Sequence, residues 1–260
     1  MDAIYINTDY SNRVIYSDID VTSQFKNGYR IFRGNHLKDY TKSYGAITKL
    51  IERSGDLVCI FEHGIGLLKV NEKAIAAESD GGLSYITANT VLPETPFMYS
   101  DMYGSQWPES VIKTPSGTIY GIDVSRRKIW KLASSLEIIS DFRIEKFLLD
   151  NLTIKETDSL PCLGLKNVAT HYNANKSDVM FTFYYKKFDY TERKNCDTGE
   201  IIRTIDNSFN DSEIAWNVCY NEILGKFQTF YSWIPIASAN IDNEFYSFDR
   251  ECSREIITNK

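Results

Sequence analysis

Along this 260-residue chain, short apolar runs are broken at close intervals by Gly, Ser, Asn and Asp. The clearest pattern lies near the end. Ile214, Trp216, Val218 and Tyr220 fall on every second position, and so do Phe227, Thr229, Tyr231 and Trp233. Between them runs Asn221-Glu222-Ile223-Leu224-Gly225-Lys226. Alternation with period two puts one set of side chains on one face of an extended segment, so two such arms around a Gly-containing turn predict an antiparallel hairpin. Asn243 to Phe248 predicts a further strand.

Two segments carry a different period. Ile144, Phe147, Leu148 and Leu152 are spaced near 3.6 residues and predict a helix from Ile144 to Leu152, with Ser140-Asp141 as its cap. The Ala- and Glu-rich stretch from Lys69 to Glu78 predicts a single helical turn. Pro93, Pro96, Gly104 and Pro108 predict a long loop from Thr90 to Glu109, and Asn151 to Lys166 predicts a second.

The strand pattern repeats. Ala46-Ile47-Thr48-Lys49, then Ser54-Gly55-Asp56-Leu57-Val58, then Leu67-Leu68-Lys69-Val70 form one set. Ser110-Val111-Ile112-Lys113, Ser116-Gly117-Thr118-Ile119-Tyr120 and Ile129-Trp130-Lys131-Leu132 form another, offset by a constant 62 residues from the Ser-Gly turn onward. A weaker third copy starts at Ser177-Asp178-Val179-Met180-Phe181. The first two copies read strand, Ser-Gly turn, strand, polar turn, strand, and the third, which lacks the Gly, continues as a hairpin of a different length.

Hairpins repeating at this period predict an all-β fold: a β-propeller-like array of antiparallel blades forming an incomplete ring, with a β-sandwich as the alternative. Residues 1–260 are expected to form a single β-rich domain with repeat units near 45–107, 108–170 and 171–235. A closed ring of blades this long needs more than 260 residues, so the chain is expected to be part of a longer propeller-type protein.

Composition adds modestly to this picture. Aromatic residues make up 13% of the chain, which suits half-buried pleated surface. The net charge is −6, and the basic groups Arg126-Arg127-Lys128, Lys186-Lys187 and Arg193-Lys194 suit solvated turns and strand edges. Nucleic acid is therefore not an expected partner. No stretch is apolar enough for a membrane span, and the N-terminus lacks the layout of a signal peptide. Cys59, Cys162, Cys196, Cys219 and Cys252 are odd in number and lack close pairing. They predict free thiols in a reducing compartment.

Catalytic signatures are missing. His36, His63 and His171 have no metal-ligand spacing, and no cofactor or metal is expected. Asp18, Asp20, Asp56, Asp123, Asp141 and Asp178 are candidate glycosidase-type acids, because such enzymes need two carboxyls across a cleft. Their positions beside strands predict turn capping. Ser79-Asp80-Gly81-Gly82 approaches a sialidase-type Asp-box without its Trp. Trp130, Trp216 and Trp233 fall in strands and predict core, whereas Trp107, in the Pro-rich loop, is a candidate interface anchor.

Three groups of residues also carry a resemblance. Ser110 to Leu132 with Ile139-Ser140-Asp141, Ile214 to Pro235, and the pattern Arg13-Val14-Ile15-Tyr16-Ser17, Tyr29-Arg30-Ile31-Phe32 and Gly45 to Leu50 are similar to segments of large virion proteins of crAss-like phages. Those proteins are called stabilisation proteins by analogy with the tail accessory hub of short-tailed phages. The resemblance implies a non-enzymatic structural protein of the virion tail, assembled in the host bacterial cytoplasm. It would stabilise the packaged genome, support fibres, and pair with other tail or hub proteins and with copies of itself. DNA would touch it only in passing, within a tail lumen. The competing class is a carbohydrate-binding or glycan-hydrolysing propeller module for host receptors.

Overall fold

Ser54 and Gly55 both take positive φ, 53° and 86°, which reverses the chain in two residues with the twist that antiparallel strands need. They join the strands Ile47–Arg53 and Asp56–Phe61 of an antiparallel sheet. The computed structural model describes residues 9–18, 27–70, 74–77, 83–86, 91–152, 168–186, 190–194, 201–205, 213–235, 237–242, 244–248 and 257–258. These divide into two compact units, one of residues 1–108, 115–117 and 132–137, the other of residues 109–114, 118–131 and 138–260.

In the first unit, β1 (Arg13–Ile15) and β2 (Leu37–Asp39) form a ribbon. A four-stranded antiparallel sheet follows from β3 (Ile47–Arg53), β4 (Asp56–Phe61), β5 (Ile65–Leu68) and β8 (Phe97–Ser100). Between its third and fourth strands, β6 (Ala74–Ala77) and β7 (Leu83–Ile86) make a separate hairpin. Two expectations are corrected here. Residues 74–77 are extended, because pairing with β7 gives their backbone groups partners that one isolated helical turn could not. The segment from Thr90 to Glu109 is not all loop, since Phe97–Ser100 pairs with β5 as the sheet edge.

The core of this unit gathers Val14, Tyr40, Cys59, Phe61, Leu68 and Leu92, with Tyr16, Tyr44, Ile47 and Leu57 packed against it. Gly104 is fixed by close approach. A Cβ there would lie 2.2 Å from the Phe61 carbonyl oxygen, to which the Ser105 amide donates at 2.9 Å.

A second four-stranded sheet runs in chain order through β9 (Ile112–Lys113), β10 (Ile119–Asp123), β11 (Lys128–Leu132) and β12 (Leu136–Ile138). The helix α1 (Glu145–Asn151) forms where the 3.6-residue period predicts it. Its expected cap does not. Ser140 and Asp141 belong to a separate 3-10 turn, where Ser140 Oγ accepts from the Ile129 amide and Asp141 pairs with Lys128 at 2.6 Å.

The third four-stranded sheet begins with β13 (Val168–Asn173) and β14 (Asp178–Lys186), after which β15 (Tyr190–Lys194) and β16 (Ile201–Ile205) form a separate two-stranded hairpin. The four-stranded sheet is completed by β17 (Glu213–Asn221) and β18 (Lys226–Tyr231), in the order β13-β14-β17-β18. The final sheet has β19 (Ala237–Ile241), β20 (Glu244–Phe248) and β21 (Ile257–Thr258). The hairpin predicted around Asn221–Lys226 is present, but β17 is an interior strand: Asn217 and Cys219 are as buried as Val218 and Tyr220. All described pairings are antiparallel and no sheet closes on itself, so the fold is all-β.

Within the second unit the leading strands of successive sheets lie side by side. Thr170 Oγ1 donates to the Ser110 carbonyl at 2.6 Å, and Asn240 Nδ2 donates to the Tyr172 carbonyl at 2.8 Å. These bonds set β13 beside the approach to β9 on one flank and beside β19 on the other. Each link is made by a side chain, because the three strands belong to different sheets.

Candidate interaction surface

Three hairpin loops of the second unit share one construction. Each opens with Asp or Asn, whose side-chain oxygen accepts an amide proton inside the loop. Asp123 accepts from Arg126 at 3.1 Å, Asn173 from Asn175 at 3.0 Å and Asn221 from Leu224 at 2.8 Å. Each closes on a residue with positive φ: Arg127 at 56°, Ser177 at 54° and Gly225 at 62°. Short side chains that hydrogen-bond the local backbone stabilise such reversals.

The loop between β17 and β18 is anchored most heavily. Asn221 Nδ2 donates to the Lys176 carbonyl at 2.9 Å and to Asp178 Oδ1 at 2.8 Å. The Glu222 carboxylate accepts from Thr114 Oγ1 at 3.0 Å, Tyr120 OH at 3.3 Å and Tyr172 OH at 3.4 Å, while its amide donates to the Ser177 carbonyl. These hydroxyls come from the second and third sheets, so one carboxylate ties them together. Burial, with the adjoining Glu222 charge, pushes the Tyr120 phenol far above its ordinary value. Above this anchored base stand Ile223, 78% exposed, and Leu224, 58% exposed.

An apolar pair on a fixed turn differs from an exposed side chain on a loose loop. Its backbone is already ordered, so a partner that covers it meets little further loss of conformational freedom. The sequence marks Asn221–Lys226 as a turn only; the available signal was two aliphatic residues at positions where turns are usually polar. A second exposed apolar group sits on β18, the sheet edge, where half-exposed Phe230 packs edge-on to Phe147, with centroids 4.9 Å apart.

Trp107 lies elsewhere, in the first unit. It is 3% exposed, and its carbonyl accepts from Ser105 Oγ at 3.0 Å. Its ring is a packing element of this chain and presents almost no surface.

The candidate acids are held separately. Asp18 pairs with Arg33 at 2.8 Å, Asp123 serves its own turn, and Asp141 shares Lys128 with Glu145. Asp178 is buried against Asn221 and receives Tyr231 OH at 3.3 Å. Asp56 begins β4, and Asp20 and Ser79 to Gly82 lie outside the described residues. His36 stacks on Tyr16, His63 is exposed, and His171 is buried inside β13. Cys59 and Cys219 are buried free thiols, each pushed up to about 12 by burial; the other three cysteines lie outside the described residues. Among the described residues, no three His, Cys, Asp or Glu side chains gather as a metal site, and no helix is long and apolar enough to cross a membrane.

The described residues thus make serial antiparallel sheets, with most candidate acids held in turns and ion pairs and one exposed apolar pair on an anchored turn. The family model of the Crassvirus muzzle protein matches residues 1–251, and the chain belongs to that family. It is thus a member of a crAss-like phage virion structural family, as the resemblance of Ser110–Leu132 and Ile214–Pro235 implied at that level. No curated protein matches the chain.

Proposed function

We propose that this protein is a non-enzymatic building block of the phage tail, at its hub or distal extension, assembled through contacts with other tail proteins and with copies of itself. The observation that carries this reading is the Ile223-Leu224 tip, an apolar pair held on a turn that Asn221 and Glu222 lock to its neighbours. The family supports the virion setting.

The same reading extends to architecture. Three consecutive four-stranded meanders and the three-stranded sheet after them, with the leading strands β9, β13 and β19 of the last three sheets side by side, support blades of a propeller-like array in which side hairpins are additions. The repeat units near 45–107, 108–170 and 171–235 are then its successive blades. DNA moving along a tail lumen would meet a lining of net negative chain charge, which favours sliding over adhesion.

Light scattering and electron microscopy of the purified chain test the proposal. The unaltered chain is expected to form ring-shaped oligomers, and Ile223→Asp with Leu224→Asp to weaken association at least about tenfold, with an unchanged circular dichroism spectrum. Unaltered assembly in the double variant would remove the tip from the interface. A monomer that hydrolyses capsular polysaccharide would replace the structural reading with the carbohydrate one.

A further inference from the structure

His171 is 4% exposed, and both of its ring nitrogens face the stretch leading into β19. Nε2 lies 3.1 Å from the Pro235 carbonyl oxygen, and Nδ1 lies 2.9 Å from Ser238 Oγ. A carbonyl can only accept, so this network assigns the proton to Nε2 and makes Nδ1 the acceptor of the Ser238 hydroxyl. Two bonds of Asn240 complete the junction: Nδ2 donates to the Tyr172 carbonyl at 2.8 Å, and Oδ1 accepts from the Ala174 amide at 3.2 Å. The β13-β14-β17-β18 sheet is held by backbone ladders, whereas these described bonds from β13 to β19 all run through side chains.

A proton arriving at Nδ1 would turn a satisfied neutral ring into a buried cation, which is costly without an anion beside it. Among the described residues, the charged and titratable groups on the surrounding elements are engaged elsewhere or exposed. Asp178 on β14 is held by Asn221 and Tyr231, and Glu222 by Thr114, Tyr120 and Tyr172. Glu244 on β20 accepts from Tyr246, Cys219 on β17 is a buried thiol, and Lys113 on β9 and Asp242 beyond β19 are exposed.

We propose that His171 is an acid-operated latch, and that protonating its imidazole releases the β19-β20-β21 sheet from β13 while the third sheet keeps its ladders. Burial, opposed by the Pro235 carbonyl, lowers this histidine to about 4. In the released state the imidazole would titrate near the ordinary value of about 6.5. The open state therefore binds protons more readily. The latch holds fully above about pH 6.5 and weakens as the pH falls towards 4, where the opening constant is raised by about a hundredfold.

Hydrogen exchange of the full chain, corrected for the intrinsic pH dependence, tests this across pH 7 to 4. Peptides covering residues 237–248 are expected to lose protection over that range, while those covering 168–186 and 213–221 keep theirs. His171→Asn should remove the pH dependence. Ser238→Asp, which supplies an anion to the protonated ring, should keep the sheet docked at pH 4. Joint loss of protection by both sets of peptides, or acid release that persists in His171→Asn, would overturn the latch. If His171→Asn does not fold, Ser238→Asp decides, because release at pH 4 as large as in the unaltered chain would also overturn it.

Discussion

The first and second four-stranded sheets solve one packing problem with opposite residues. In the first, Cys59 on β4 and Leu68 on β5 share a core cluster. The constant offset of 62 residues carries those positions to Gly121 on β10 and Trp130 on β11. A Cβ at Gly121 would lie 2.3 Å from the Trp130 ring, so the tryptophan fills the space that a larger residue on the neighbouring strand would need. Medium beside medium has become nothing beside large. Close-packed interiors conserve volume across neighbouring positions more strictly than residue identity at either one.

Breaking that exchange should produce the largest effect. Trp130→Leu removes a fully buried ring and should cost about 3 kcal/mol in denaturant unfolding. Gly121→Cys should cost about 2 kcal/mol by crowding the same ring. Combined, they recreate the first sheet's pair, and the double variant should be more stable than the sum of the two losses by at least about 1 kcal/mol. Strict additivity would mean that the two sheets do not share a packing solution.

An intermediate effect sharpens a different contrast, between turns that only reverse the chain and turns that also tie sheets together. Glu222→Ala deprives Thr114, Tyr120 and Tyr172 of their common acceptor and should cost about 2 kcal/mol. It should also loosen the neighbouring tip, seen as faster exchange at Leu224. The smallest effect belongs to the plain reversals. Gly55 and Gly117 have φ of 86° and 82° with nothing near an added Cβ, so alanine at either should cost only about 1 kcal/mol, from backbone conformation alone.

The same comparison shows how far the sequence could be read. The offset of 62 residues was visible because the first three strands of both copies follow one another without interruption. It fades in the third copy because β15 and β16 intervene between β14 and β17, whereas the first sheet receives its extra hairpin one joint later. Adding a hairpin where two strand ends already meet leaves the parent ladder intact, but it destroys a fixed period. Alternation located the hairpin around Asn221–Lys226, and the 3.6-residue spacing located α1. Neither pattern could reveal where strand-to-side-chain bonds join different sheets, since Thr170, His171 and Asn240 meet partners 60 or more residues away. The surface was legible only in part. Residue type and a Pro-rich loop point to Trp107, which is buried, while Ile223 and Leu224 lie in a turn, where alternation gives no signal of exposure.

The difference between ladders and side-chain links has a mechanical consequence. Tension applied along β14 and β17 would load every rung from Asp178–Asn221 to Lys186–Glu213 together, as in a joint pulled in shear. Tension that draws β19 away from β13 would load the bonds of His171 and Asn240 in succession, as in a seam being unpicked. Under load, such a chain should yield between its sheets before it yields within them, with most of its strand pairing intact when the load is removed.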